Sequence, residues 1–517
     1  MLRHPARVLA VVAGLAAVAF LRAADPHAPV TTSTVVATTA PAPEPTGPML
    51  TLEQSVAQAL ARNFTVRIQR YTTDEAQASV IIAKSVYDPV LGVDWQKAVN
   101  QAPTLTTTGE GVPIGQPGLR TDQTQTTLSV TQNIPTGGTL TGDYNLTKES
   151  TNSIYAILNP DYNGNVSLSI TQPLLQGAGT DYGLALIRRA RLGSRIADLT
   201  FRSTILTMVF NVETAYYNLI YFRQQYEVGK DTLKLAEQLL DENRIKRQTG
   251  VLTDLDVVQA QAGVATANSQ LIQFKQAMEN AADILLEALG EREFHFPIGP
   301  VAFPPLGDTD VSFDFSYKLA RDNGPSLEIV EATIEQYQLD ALRAKRNELP
   351  ALNVNGGLGY SSDTHSYYSA ARQEWNGTGY NWSGGVTLTY PWGQRNNKAL
   401  YRQAMDSVNS EKVVFDQSDQ TLVVNVRAAV RSVQANVENV AAATQAELFT
   451  QKQYDLQKAR FDAGLATSYD VLQAQNLLES ARVTKLQADV NLRIAIADLR
   501  MLEGTSLETY HIDLSGS

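Results

Sequence analysis

The chain has 517 residues, 43% hydrophobic and 18% charged, with 53 acidic against 42 basic side chains and no cysteine. The net charge of -11 argues against a nucleic-acid binder, which neutralises phosphates with clustered Lys and Arg. Without thiols there is no disulfide, thiolate zinc site, cysteine nucleophile or lipidated N-terminal cysteine. The five histidines, His4, His27, His295, His365 and His511, share no i, i+3 or i, i+4 spacing, so neither a metal site nor a cofactor is expected.

Arg3 and Arg7 precede an uncharged apolar stretch from Val8 to Leu21, with Ala23 and Ala24 behind it. That order of basic, apolar and small residues predicts a secretory signal over residues 1–24, too short in its apolar part to span a bilayer as a helix. Residues 25–48 are Ala, Thr and Pro with almost no bulk, the composition of a linker. Of 21 prolines, none lies between Leu174 and Phe296 and none follows Pro391, which predicts very long unbroken helices in both intervals.

The first of these intervals recurs as the second. Gly250-Val-Leu-Thr-Asp-Leu-Asp-Val-Val-Gln-Ala-Gln261 aligns with Gly464-Leu-Ala-Thr-Ser-Tyr-Asp-Val-Leu-Gln-Ala-Gln475, and the same offset carries Ala185 to Ala399 and Gly290 to Gly504. Upstream, Tyr87-Asp-Pro corresponds to Glu348-Leu-Pro, and Leu168-Ser-Ile-Thr-Gln-Pro173 to Val386-Thr-Leu-Thr-Tyr-Pro391. The expected organisation is a first repeat over 49–290, an inter-repeat segment over 291–315, a second repeat over 316–504 and a tail over 505–517. Each repeat reads helix, strand, loop, strand and two long helices.

In the helical arms, Val257, Ala260, Val264, Ala267, Leu271 and Phe274 step by three and four, and the series continues to Ala288. The equivalent series from Val471 to Leu502 is interrupted only by Lys485. This spacing specifies a left-handed coiled-coil seam. The preceding helices, near Leu184 to Gln248 and Lys398 to Asp462, would be on the order of 100 Å long at 1.5 Å per residue. The strands expected at Val90–Lys97, Thr124–Asn133, Thr139–Thr147, Val166–Gln172, Leu352–Tyr360 and Gly384–Tyr390 alternate in polarity and carry aromatics near their ends, including Trp95, Tyr144, Tyr360, Tyr390 and Trp392. In an exported acidic chain these features fit an outer-membrane barrel. Four to six strands cannot enclose a lumen and lipid tolerates no open edge, so several protomers would share one barrel.

The tandem repeat, the Gly-x-x-Thr-x-x-Asp-Val turns at Gly250 and Gly464, the Pro-bearing strand ends and the opening Leu50-Thr-Leu-Glu-Gln-Ser-Val-Ala-Gln-Ala-Leu60 resemble the TolC family of outer-membrane efflux proteins. The resemblance implies an α+β membrane protein: a long α-helical coiled-coil tunnel in the periplasm and an antiparallel β-barrel in outer-membrane lipid, shared between the protomers of a homotrimer. It also implies a periplasmic adaptor protein and an inner-membrane pump as partners, with no enzymatic activity.

By the same resemblance, Thr249, Gly250, Val251, Ala463, Gly464 and Leu465 stand at the adaptor-contacting tips. Asp256 and Asp470 stand at the periplasmic entrance, with Gln473 where a further acidic ring would fall and Ala466 where a latching Arg would be. The residues themselves also allow a plainer role, because Thr253 with Asp256 and Thr467 with Asp470 have the spacing of helix caps. Two other points stay open in the sequence. The 124–147 hairpin either adds staves, making 18 strands instead of 12 in a trimer, or folds as an extracellular plug. A trimeric coiled-coil structural or adhesive envelope protein without pore activity would explain the arms, though not the duplicated strand pairs.

Overall fold

The computed structural model describes residues 49–512 except 104, 110–111, 117, 295–297, 308 and 374–378. The expected signal and linker, residues 1–48, and the end of the tail, 513–517, lie outside the described residues.

The chain begins with a short helix pair, α1 (Leu52–Arg62) and α2 (Phe64–Ser85). Thr51 caps α1 in a reciprocal box with Gln54, and the Asn63 side chain accepts from Thr65 and Val66 N–H to start α2. The strands β1 (Val90–Gln101), β2 (Leu105–Gly109), β3 (Val112–Gln116), β4 (Arg120–Asn133), β5 (Thr139–Thr151) and β6 (Asp161–Pro173) follow. After a single turn, α3 (Thr180–Gly183), come the long helices α4 (Ala185–Gln248) and α5 (Asp254–Ala288).

The order then recurs. The helices α6 (Phe313–Asn323) and α7 (Pro325–Asn347) lead into β7 (Ala351–Thr364), a short α8 (Tyr367–Gln373) and β8 (Tyr380–Thr389). The long helices α9 (Arg395–Asp462) and α10 (Ser468–Glu503) precede a terminal turn, α11 (Ser506–Thr509). The boundary expected at residue 316 thus falls inside α6.

The proline-free intervals do form rods: α4 has 64 residues and α9 has 68, about 100 Å each at helical rise. The periodic positions of α5 and α10 face inward, with Val257, Ala260, Ala267, Val471, Ala474 and Leu478 buried. Lys485, the one charged residue in the seam, is held by Glu447 of α9 at 2.7 Å. Among the described residues no helix is long and apolar enough to cross a membrane.

Six strands make one antiparallel sheet in the order β1-β4-β5-β6-β7-β8, and β2 and β3 pair separately. The 124–147 hairpin is therefore part of the sheet, hydrogen-bonded between β1 and β6. Several strands run further than polarity alternation indicates. Toward Gln101, Arg120 and Thr151 both faces become polar, so the period-2 signal fades while the backbone ladder continues. The β2–β3 pair and α8 were not anticipated.

Register puts Leu91, Val130, Leu168, Leu358 and Trp382 in one row across the sheet and Val93, Leu128, Tyr144, Val166, Tyr360 and Tyr380 in the next. Many of these side chains are exposed, and Trp392, just beyond β8, is 98% exposed. The opposite face carries Asp94, Thr127, Asn145, Asn165 and Ser361 in one row. The sheet is thus apolar on one face and polar on the other.

The largest core lies at the middle of α4, where Ile205, Val209, Tyr216 and Leu219 pack against α1, the end of α5 and the terminal Leu507. The inter-repeat segment wraps this core: the Tyr216 hydroxyl lies 3.0 Å from the carbonyls of Leu50 and Ala302, and Arg223 donates to the carbonyls of Ile298 and Gly299. Phe303 and Phe313 pack in small clusters with Tyr217 and Tyr317. Residues 506–512 are anchored here too, since Tyr510 donates its hydroxyl to buried Glu213.

Burial pushes the Glu213 carboxyl above the ordinary glutamate range, although the Tyr510 hydrogen bond and the Arg500 charge pull it down. A carboxyl with a raised pKa in the folded state binds more protons there, so stability falls as pH rises from the ordinary glutamate value through the folded one. Glu213→Gln keeps an acceptor for Tyr510 and removes that dependence. The variant should melt higher than the parent at pH 8, with the gap closing near pH 4 in calorimetric scans; a larger loss at pH 8 than at pH 4 contradicts this.

Candidate functional site

The long helices turn back at two tips, and each tip is dictated by its glycine. Gly250 and Gly464 have φ of 76° and 75°, a left-handed conformation open to glycine at little cost. Past each glycine the chain closes on the helix end: Val251 N–H donates to Lys246 O at 2.9 Å, and Leu465 N–H to Arg460 O at 2.8 Å. The side chains that follow the glycines are left outside, Val251 68% and Leu465 71% exposed. Thr249 and Ala463 are exposed beside them. The two tips thus present the same small apolar knob twice.

The next helix of each hairpin starts from a capping box. Thr253 N–H donates to Asp256 Oδ2 at 2.9 Å, and Thr467 N–H donates to Asp470 Oδ2 at 2.9 Å. The hydroxyls donate to the same oxygens, at 2.6 and 2.8 Å. Both carboxylates are therefore folded back onto their helix starts and remain partly exposed. These hydrogen bonds from Thr467 hold the Asp470 carboxyl below its ordinary range, so it is ionised at neutral pH. Gln473 is exposed one turn further along α10.

The two hairpins meet just above these caps. Asn243 of α4, fully buried, donates to Asp256 O at 3.1 Å and to Ser468 Oγ at 2.6 Å, so one amide touches the first turns of both α5 and α10. Lys458 of α9 bridges Glu242 of α4 and, at 3.7 Å, Asp462. Lys246 lies 3.6 Å from Asp462 and 3.7 Å from the centre of the Phe461 ring. Beneath them Leu239, Phe461 and Val471 form an apolar cluster, against which Ala466 packs. Where a latching Arg would be expected, this chain has a small side chain in a hydrophobic contact. Between the hairpins the cations are Lys246 and Lys458, whose repeat counterparts, Arg460 and Arg244, are basic as well.

A sheet with one apolar face, joined to helices too long for a globular core and ending in duplicated apolar tips, defines the chain of a membrane-anchored helical duct. The family profile for outer membrane efflux proteins matches residues 139–291 and 316–505, and the chain belongs to that family of outer-membrane conduits. It is 22% identical over 349 residues to the outer membrane protein TolC of Salmonella enteritidis, covering 64% of this chain and 69% of that one. It is 23% identical over 368 residues to the alkaline protease secretion protein AprF of Pseudomonas aeruginosa, covering 66% and 70%. Among solved structures, the Campylobacter jejuni CmeC outer membrane channel superposes with a TM-score of 0.65 at 17% identity, over 88% of this chain and 85% of that one. The Vibrio cholerae outer membrane protein VceC gives 0.63 at 14%, over 88% and 96%.

Lys458→Met deletes the cation that Glu242 and Asp462 share and leaves the apolar cluster intact. Amide hydrogen exchange should speed up at both tips, residues 239–262 and 454–478, and stay unchanged in the sheet. Unaltered exchange at the tips would mean that the cluster alone holds the hairpins together.

Proposed function

We propose that this chain is the exit duct of a tripartite efflux or secretion system, a passive homotrimeric conduit energised by an inner-membrane pump through a periplasmic adaptor. The observation that carries the reading is the sheet. Its apolar face suits lipid, its polar face suits a hydrated lumen, and its terminal strands β1 and β8 each pair on one edge only among the described residues. A second copy can satisfy those edges, because β1 and β8 run in opposite directions and an antiparallel ring closes without a mismatch. Three copies are the number that the family resemblance implies. The adaptor would dock on the paired tips through Val251 and Leu465, whose apolar side chains are 68% and 71% exposed.

In this assembly Asp256 and Asp470 serve twice, as helix starters and as negative charges around the periplasmic entrance. A ring of carboxylates favours cations and resists anions. The capping function is kept by Asn, which can still accept from Thr467, so Asp470→Asn separates the two roles. In planar bilayers the purified full chain should form discrete channels, and Asp470→Asn should lower cation preference and weaken block by polyvalent cations. Absence of any pore from folded trimers would sink the duct reading and favour a structural coiled-coil protein. Unchanged selectivity would leave Asp470 as a cap alone.

A further inference from the structure

The strand count of the sheet reaches beyond topology. β1 leaves the helices and β6 returns to them, so everything between Gln101 and Asp161 could have been an external loop. Instead β4 and β5 fill the space between β1 and β6 with full-length ladders: β1 pairs with β4 from Val90 to Gln101, and β4 with β5 from Thr121 to Asn133. The β5–β6 ladder runs from Thr139 to Glu149, as long as the ladders that join β6, β7 and β8. Adding strands two at a time preserves every other strand's direction, so the free edges stay complementary.

The inserted pair also carries the faces of a stave. Leu128 and Val130 of β4 continue the apolar rows of β1, and Tyr144 of β5 passes them on to Val166 of β6. A plug folded into water has no need of such a row; a strand against lipid does. Charges on the six strands follow the same division. Asp94, Asp143, Glu149, Asp161 and Asp363 lie on the polar face with no Lys, Arg or His among them, whereas Lys97, Arg120, Asp122 and Lys148 fall on the apolar face toward the outer ends of the strands, where Lys97 and Asp122 pair at 3.7 Å.

We propose that each copy contributes six staves, so that three copies close an 18-stranded barrel whose lumen is wide and purely negative. The copy number rests on the trimer reading above. Barrel diameter grows roughly in proportion to strand number, so the bore is about 1.5 times that of a 12-stranded ring and reaches the size at which porins hold an open aqueous channel. Size selection then falls to the helical tips, and the barrel selects by charge, drawing hydrated cationic cargo outward and holding anions back.

The chain has no native cysteine, so single-cysteine variants report cleanly. In liposome-reconstituted full-length protein, Thr127→Cys and Asn145→Cys should react with a water-soluble maleimide, while Leu128→Cys and Tyr144→Cys should be protected and respond to a lipid-borne quencher. Equal reactivity of all four would overturn the stave assignment. A second protein, with residues 102–160 replaced by a short Gly-Ser turn, lets β1 meet β6 directly; the parent should admit neutral polyethylene glycols about 1.5-fold larger in radius from the outer side. The same cut-off in both would overturn the wide bore. Asp94→Asn with Asp143→Asn and Asp363→Asn should reduce the K+/Cl− permeability ratio at least about twofold, and an unchanged ratio overturns the charge assignment. Native mass spectrometry fixes the copy number separately: a mass other than three copies overturns the figure of eighteen, whereas the labelling pattern judges the six staves.

Discussion

Backbone hydrogen bonding in a medium without water is the constraint on which the rest of this molecule depends. A sheet whose outward face is Leu, Val, Trp and Tyr can sit in lipid only if its N–H and C=O groups are all paired, and a six-stranded sheet leaves two edges open. In the proposed duct these edges are met by further copies of the chain. Association places the polar face of every copy around one lumen, and the helices that leave the sheet at Ser85, Pro173, Asn347 and Thr389 must then continue side by side away from the membrane. The unusual lengths of α4 and α9 follow from the same demand, since a wall around an aqueous duct cannot be built from helices of globular length. Their freedom from proline is the price in sequence space of that continuity.

Along the rods, stability is unevenly distributed. The middle of α4 is buried in the largest core and tied to the inter-repeat segment and the C-terminal turn, while the tips hold only small apolar clusters around Leu239, Phe461 and Val471, and around Val257 and Ala260. Sub-global openings concentrate where few apolar contacts are made. The tips are thus the part of the chain best suited to change conformation while the core around the inter-repeat segment stays fixed.

Much of this was legible in the sequence, and the reasons are specific. The proline gaps and the three-four spacing from Val257 onward are one-dimensional signals, so they marked the long helices directly. The repeat of Gly-x-x-Thr-x-x-Asp marked both turns because the positive φ and the capping box are each made by neighbours in sequence. The hairpin Thr124–Thr147 was visible as strands, but its place between β1 and β6 depends on pairing partners as far apart as Val90 and Thr131, which alternation does not encode. Asn243, Lys246 and Lys458 were missed for a related reason. Each is a common polar residue on a helix, and its significance comes only from the opposite hairpin that it touches. Ala466 was noticed as a missing cation, while its actual contact, a hydrophobic one, was not readable.

The magnitudes at the tip decide what sort of closure it is. The pairs Lys458–Glu242 and Lys246–Asp462 retain side-chain exposures of 28% to 53%, and ion pairs this open contribute about 0–1 kcal/mol each. The buried Asn243 counts for more, because separating the hairpins strands its amide unless water enters, at about 1–3 kcal/mol. The apolar cluster adds a similar amount for each large side chain exposed, roughly 1.5–3 kcal/mol. One amide, two weak ion pairs and a few apolar contacts thus join the hairpins only modestly. In the proposed duct, an adaptor that buries Val251 and Leu465 would have to supply only a similar amount to replace those contacts with its own. With Ala466 where a latching Arg was expected, that energy lies between the two hairpins of one chain, where a partner bound at their ends would act on it directly.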